Sequence, residues 1–148
     1  MSINYLKKND RPVISEIYYN LGNAYSIKDN YKDAIKNFIK ALKIEPNNNE
    51  IFYNLGNCQF MDKQYEEALF SYDMCDKLGG GTSQLTLMKA RALIEIEGEK
   101  KEASIKKAEK ILNKLIKEHG ENEHVLYVFG NLMEKKGNKE KAIEYYEV

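Results

Sequence analysis

Cysteine is scarce in this chain of 148 residues: only Cys58 and Cys75 occur, too few for a disulfide framework. Arginine is equally rare, at Arg11 and Arg91, so the positive charge is carried almost wholly by lysine. Lysine lacks the planar fork that reads phosphate or carboxylate in pairs. Net charge is lacking too, because Lys+Arg and Asp+Glu both number 23. Nucleic acid is therefore not an expected partner, since phosphate affinity needs concentrated positive charge. No apolar run is long enough to cross a membrane. The opening Met1–Pro12 segment has no apolar centre like that of a secretory signal. These absences lead to an expected cytoplasmic location and no membrane partner. What remains is an ordinary globular balance, 43% hydrophobic and 31% charged.

Catalytic motifs are missing as well. Gly79-Gly80-Gly81 lacks the Lys-Ser/Thr of a phosphate loop and follows a helical pattern, so it reads as a helix end and a flexible joint. His119 and His124 flank Gly120-Glu121-Asn122-Glu123, a stretch read as the loop between two repeats rather than a metal site. Cys58 and Cys75 stand where another repeat has Ala24 and Ala41, which marks them as small packing residues. Lys106, Lys110, Lys114 and Lys117 form one stripe with Glu102, Glu109 and Glu118 interleaved, the pattern of a solvated face. No catalytic residue, cofactor or metal is assigned, and no enzymatic activity is expected.

What the sequence does have is a repeat. Tyr19-Asn20-Leu21-Gly22-Asn23 returns as Tyr53-Asn54-Leu55-Gly56-Asn57. The same offset persists through Tyr31 and Tyr65, Ala34 and Ala68, Phe38 and Tyr72, and Ala41 and Cys75. Phe129-Gly130-Asn131 opens a further copy that continues to Gly137, Ala142 and Tyr146. The interval from Gly56 to Gly130 leaves room for one repeat with about six added residues, an insertion held within 97–104. Ile17, Tyr18, Leu21, Ala24 and Tyr25 have helical spacing, as do Ala34, Ile35, Phe38, Ala41 and Leu42. Lys28-Asp29-Asn30 is a polar turn between those two helices, and Pro46 with the asparagines after it stops the second. Small residues at Gly22, Ala34 and Ala41 let helices approach closely, with aromatics filling the gaps beside them. One hairpin cannot bury its own apolar face, so such units stack.

A unit of two helices with a period of about 34 residues resembles the tetratricopeptide repeat, and the likeness covers residues 15–148. In the first copy the family pattern is met by Tyr18, Leu21, Gly22, Tyr25, Ala34, Phe38, Ala41 and Pro46. The resemblance implies an all-α, right-handed α-solenoid of about four antiparallel helix-turn-helix hairpins. The divisions are an N-terminal extension at 1–14 and repeats at 15–48, 49–82, 83–122 and 123–148. The third repeat is irregular, with Ala90 in place of the glycine and Lys89 in place of the leucine. The fourth is incomplete in its second helix, where Ile143 and Tyr146 are expected on the inner side. Apolar surface at that end is expected to favour self-association.

The family's partners usually lie along the first helix of each repeat. The resemblance therefore puts Tyr19, Asn20, Asn23, Tyr53, Asn54 and Asn57 on a partner groove, joined by Phe60, Met61, Leu87, Met88 and Ile94. Amides can both donate to and accept from an extended backbone, and methionine accepts varied apolar side chains. The expected function is a protein-interaction module, an adaptor or scaffold for a protein or peptide segment. Two further readings are the substrate-recognition part of a larger enzyme and a structural subunit of a large assembly. Chaperone adaptors of this family clamp acidic C-terminal tails with two asparagines and three cations. Asn23 and Asn54 match the asparagines, but Tyr19, Gln84 and Met88 occupy the cationic positions, so that function is not carried over. Asn20 and Asn54 also resemble two rungs of the asparagine ladder in sugar-transferase recognition arms, which Met88 and Val128 do not continue.

Overall fold

In the computed structural model, residues 7–147 are described. They contain eight α-helices and no strand: α1 (Arg11–Ile27), α2 (Tyr31–Ile44), α3 (Asn49–Met61), α4 (Tyr65–Cys75), α5 (Ser83–Glu95), α6 (Lys101–His119), α7 (Glu123–Lys135) and α8 (Lys139–Tyr146). They pair as antiparallel hairpins, α1 with α2, α3 with α4, α5 with α6 and α7 with α8. The chain falls into two compact units that divide after Gly81.

Helix starts follow local chemistry. Asn30, Asn48, Asn122 and Asn138 each accept a hydrogen bond from the first turn of the helix that follows, capping α2, α3, α7 and α8. Thr82 caps α5 in the same way. Much of the asparagine therefore has a structural use, and Asn48 starts a helix rather than only stopping the previous one. α1 begins at Arg11, with Pro12 in the first turn, where a missing N–H costs nothing. Lys7 and Asp10 lie before it, joined by a backbone bond of 2.9 Å.

The hairpin turns repeat as well. Asp29 and Lys63, one repeat apart, adopt left-handed φ values of 60° and 62°. Gly137 takes the same place in the fourth hairpin. In the third hairpin the added residues form a short 3₁₀ turn at Gly98–Lys100 and the first turn of α6. α6 accordingly runs to 19 residues, against 14 for α2 and 11 for α4.

In the first unit, Ala34, Ile35, Phe38, Ala41, Ile51, Leu55 and Cys58 form a continuous core. The close approach inside the first, second and fourth hairpins depends on glycine. A Cβ on Gly22 would stand 2.6 Å from Phe38 Cε1, and one on Gly56 would stand 2.7 Å from Tyr72 Cε1. Gly130 lies under the Tyr146 ring in the same manner. The third hairpin has Ala90 at this register, and Leu112 where the others have a ring. Both are fully buried. The larger floor goes with a smaller filler. After α4, residues Asp76–Gly80 form a widened helical turn that Gly79 ends at φ 89°.

Candidate functional site

In the first unit, α1 and α3 bring three of the candidate residues into one polar cluster with Glu50. The Asn54 amide donates to the Tyr19 hydroxyl at 2.8 Å and to Asn23 Oδ1 at 3.5 Å. The Tyr19 hydroxyl in turn donates to Glu50 Oε1 at 2.9 Å. Partial burial first, and then this carboxylate, raises the Tyr19 pKa above its ordinary value. Tyr19 therefore stays a neutral phenol, and the cluster presents carboxylate and amide oxygens. Asn20 is exposed on α1, and no hydrogen bond from its side chain occurs among the described residues.

Other candidates serve the hairpins first. Tyr53 packs at a tilt against Tyr72, with ring centroids 6.2 Å apart, as Tyr19 does against Phe38 at 5.9 Å. The Tyr72 hydroxyl donates to Asn57 Oδ1 at 2.7 Å. Phe38 has no hydroxyl, which leaves Asn23 open to Asn54. One asparagine register thus has two uses, set by the ring opposite.

The apolar candidates divide. Met61 is 54% exposed, and Phe60 is half-buried against Tyr65, edge to face at 5.3 Å. Leu87 and Met88 each keep only 7% of their surface, and Ile94 keeps 1%. The expectation that these three line a groove is corrected: they are core. α5 carries seven buried residues against two in α1, and it packs more extensively on α7 than α1 does on α3. Arg91 Nη1 also lies 3.5 Å from the Met88 sulfur.

The reactive side chains are quiet. Cys58 and Cys75 are free and buried. Burial raises the Cys58 thiol pKa, which suppresses the nucleophilic thiolate. His119 ends α6 and His124 lies in the first turn of α7, so both sit on helices rather than in the loop. Ser83 Oγ lies 3.1 Å from His119 Nε2, and Glu118 approaches that same nitrogen at 3.9 Å. A catalytic triad needs its carboxylate on the other ring nitrogen, so this contact is not one. Among the described residues, no three His, Cys, Asp or Glu side chains are grouped to hold a metal, and no helix is long and apolar enough to cross a membrane.

The second unit holds a cleft that sequence reasoning missed. It has a volume of about 810 Å³ and is lined chiefly by α7 and α8. Tyr127 and Tyr146 line it as a tilted pair with ring centroids 5.7 Å apart, and the Tyr146 hydroxyl donates to Asn131 Oδ1 at 2.7 Å. The repeat register carries the signal, because Tyr127 and Asn131 stand two repeats beyond Tyr53 and Asn57. Val128, which breaks the asparagine series, draws attention away from its neighbours on this helix.

Tetratricopeptide-repeat models match residues 15–48, 37–70 and 123–147, more than half of the chain together. The chain belongs to the tetratricopeptide-repeat family. Solved structures of similar fold include MamA, from residue 41 to its end, of Desulfovibrio magneticus RS-1. It is 19% identical with a TM-score of 0.70, over 88% of this chain and 71% of that one. TTC0263, a thermophilic tetratricopeptide protein of Thermus thermophilus, is 17% identical with a TM-score of 0.69, over 88% and 70%. The first tetratricopeptide domain of Spaghetti (RPAP3), bound to the HSP90 peptide SRMEEVD, is 15% identical with a TM-score of 0.62, over 91% and 94%. At these identities the likeness is one of tetratricopeptide fold. No curated protein sequence matches the chain significantly.

Proposed function

We propose that this tetratricopeptide chain is a protein-interaction module whose α1–α3 face holds an extended segment of a partner protein. The carrying observation is that Asn20 and Met61 are exposed on that face, beside half-buried Tyr19, Tyr53 and Asn54. Asn54 and Met61 lie two turns apart on α3, and Asn20 matches Asn54 in the repeat register. Amide groups of Asn20 and Asn54 would meet the partner backbone. An apolar side chain would settle on Met61 beside half-buried Phe60. Asn23 would position Asn54 through the bond between them. The tetratricopeptide neighbour bound to the HSP90 peptide supports the interaction-module reading.

The test is to select peptides from a displayed library on the full chain and measure their affinities by calorimetry. Ordering an extended segment is costly, so affinity of roughly micromolar strength is expected. Asn54→Ala should weaken binding by about 0.5–1.5 kcal/mol, and Met61→Glu should remove the apolar anchor. Lys110→Glu, on the exposed lysine stripe of α6, is the control. Loss of binding in Lys110→Glu alone would move the surface elsewhere and end this reading.

A second surface supports self-association. Ile17 on α1 is 52% exposed, whereas Ile51, its repeat equivalent on α3, is 2% exposed. Ile143 on α8 is 54% exposed, whereas its equivalent Ile35 is 8% exposed. We infer that the α8 end pairs with another chain through Ile143, with α1 of a second copy as the complementary face. Such a contact is head-to-tail rather than two-fold. Sedimentation should show mass rising with concentration, and Ile143→Glu should return the chain to monomer. A strict monomer at high concentration would refute it.

A further inference from the structure

The cleft of the second unit shares its tyrosines and asparagine with the second hairpin, but not its acid. Tyr127, Asn131 and Tyr146 match Tyr53, Asn57 and Tyr72 in the repeat register. Glu134 and Glu123 stand where the second hairpin has Phe60 and Asn49, and the first has Ser26 and Ser15. The fold therefore does not demand these carboxylates.

No lysine or arginine lines the cleft to neutralise them; His124 is the base on its wall. The neighbouring lysines are engaged elsewhere: Lys135 pairs with Glu95 and Glu97 at 3.5 and 3.1 Å, and Lys136 pairs with Glu109 at 3.3 Å. Neither Glu123 nor Glu134 is in an ion pair among the described residues, and both are exposed. Tyr127 is 54% exposed, so part of its ring remains open. Burial and the Glu134 carboxylate push the Tyr146 pKa up to about 12, so the phenol keeps its proton at neutral pH.

An open aromatic ring beside carboxylates that lack a cation is complementary to one class of group, a planar cation that stacks and donates at once. We propose that the α7–α8 cleft receives an arginine side chain of a partner protein segment, its guanidinium over Tyr127 and its N–H groups on Glu134. Glu123, at the start of α7, adds negative charge to the same cleft. The inference rests on the interaction-module reading and names the partner chemistry of a site that reading does not use. Lysine fits less well, because its ammonium cannot stack or bond in a fork.

The experiment uses the full chain and three small probes, the N-acetyl N-methylamides of arginine, lysine and glutamate. Nuclear magnetic resonance reads the ring signals of Tyr127 and Tyr146. The arginine probe should shift both, with millimolar affinity and several-fold preference over lysine, and the glutamate probe should shift neither. Glu134→Gln and Tyr127→Ala, both at exposed side chains, should each weaken the arginine probe by about threefold to tenfold. Equal shifts from the glutamate probe, or unchanged arginine affinity in Glu134→Gln, would overturn the proposal. The two readings fail separately. Library peptides that bind at α1–α3 with no effect of Glu134→Gln and no arginine shift would sink this one alone. Absence of any peptide binding, with the arginine shift intact, would sink the interaction-module reading instead.

Discussion

The Tyr72 hydroxyl donates to Asn57 across the second hairpin at 2.7 Å, and it does so from a ring that is fully buried. A buried hydroxyl needs an acceptor, and the first hairpin avoids that need by using Phe38. Tyr72→Phe should destabilise the chain by about 0.5–1.5 kcal/mol, seen as a lower denaturant midpoint. Asn57→Ala should cost less in the Tyr72→Phe background than in the parent. Additive effects in this double-mutant cycle would show that the two groups are not coupled.

Gly56→Ala tests the floor beneath that ring. Alanine ordinarily favours a helix over glycine by about 1 kcal/mol. Here its Cβ would sit 2.7 Å from Tyr72 Cε1, so overpacking should win by about 1–3 kcal/mol. Adding Tyr72→Leu should recover part of the loss, because the third hairpin pairs Ala90 with Leu112 at this register. A Gly56→Ala chain with a raised melting temperature would contradict the close packing.

The second unit should be sensitive to pH through Lys135. Its bond to Glu97 comes first among the causes that lower the Glu97 pKa from an ordinary 4.5 and raise that of Lys135 from 10.5. A depressed carboxylate stabilises above its unfolded pKa and loses that contribution as pH falls through the folded value. A raised lysine stabilises below its unfolded pKa and loses that contribution as pH rises through the folded value. The pair therefore helps between about 4.5 and 10.5 and fades on both sides. Lys135→Met should flatten both flanks of a plot of melting temperature against pH, and added salt should shrink the difference. Identical profiles for parent and variant would show the pair to be inert.

Acidic C-terminal peptides should bind poorly. Tyr19 gives the α1–α3 face no cation for a tail clamp, Gln84 and Met88 supply none on α5, and Glu50 holds a carboxylate beside Tyr19. A tail such as SRMEEVD would meet like charge and desolvate its own carboxylates without compensation. Calorimetry should give no saturable heat at micromolar peptide. Micromolar, salt-sensitive binding would reverse this conclusion.

The helical hairpins were legible because their signals are local or strictly periodic. Lys28-Asp29-Asn30 does form the first turn, and the spacing around Phe38 does mark a buried face. Other features depend on partners far apart in sequence. Leu87 and Met88 align with Tyr53 and Asn54, yet they are core, on a helix that packs against α7 as well as against α6. Spacing alone does not show which face of a helix a neighbour covers. The Tyr72–Asn57 bond spans 15 residues between two helices and leaves no linear motif. The added residues at 97–104 stand out by register alone, but their use in lengthening α6 follows from packing that the insertion does not announce.

The tilted ring pairs have an optical consequence. The chain has 11 tyrosines and no tryptophan, so its near-ultraviolet spectrum is tyrosine's alone among the indole and phenol absorbers. Tyr53 with Tyr72 and Tyr127 with Tyr146 are held at 6.2 and 5.7 Å with their planes inclined by 50° and 41°. Chromophores fixed that close and askew couple, and circular dichroism records the coupling. One such pair lies in each unit. The loss of ellipticity on heating thus carries a separate contribution from each half of the chain, and replacing Tyr53 or Tyr127 with leucine identifies which half melts first.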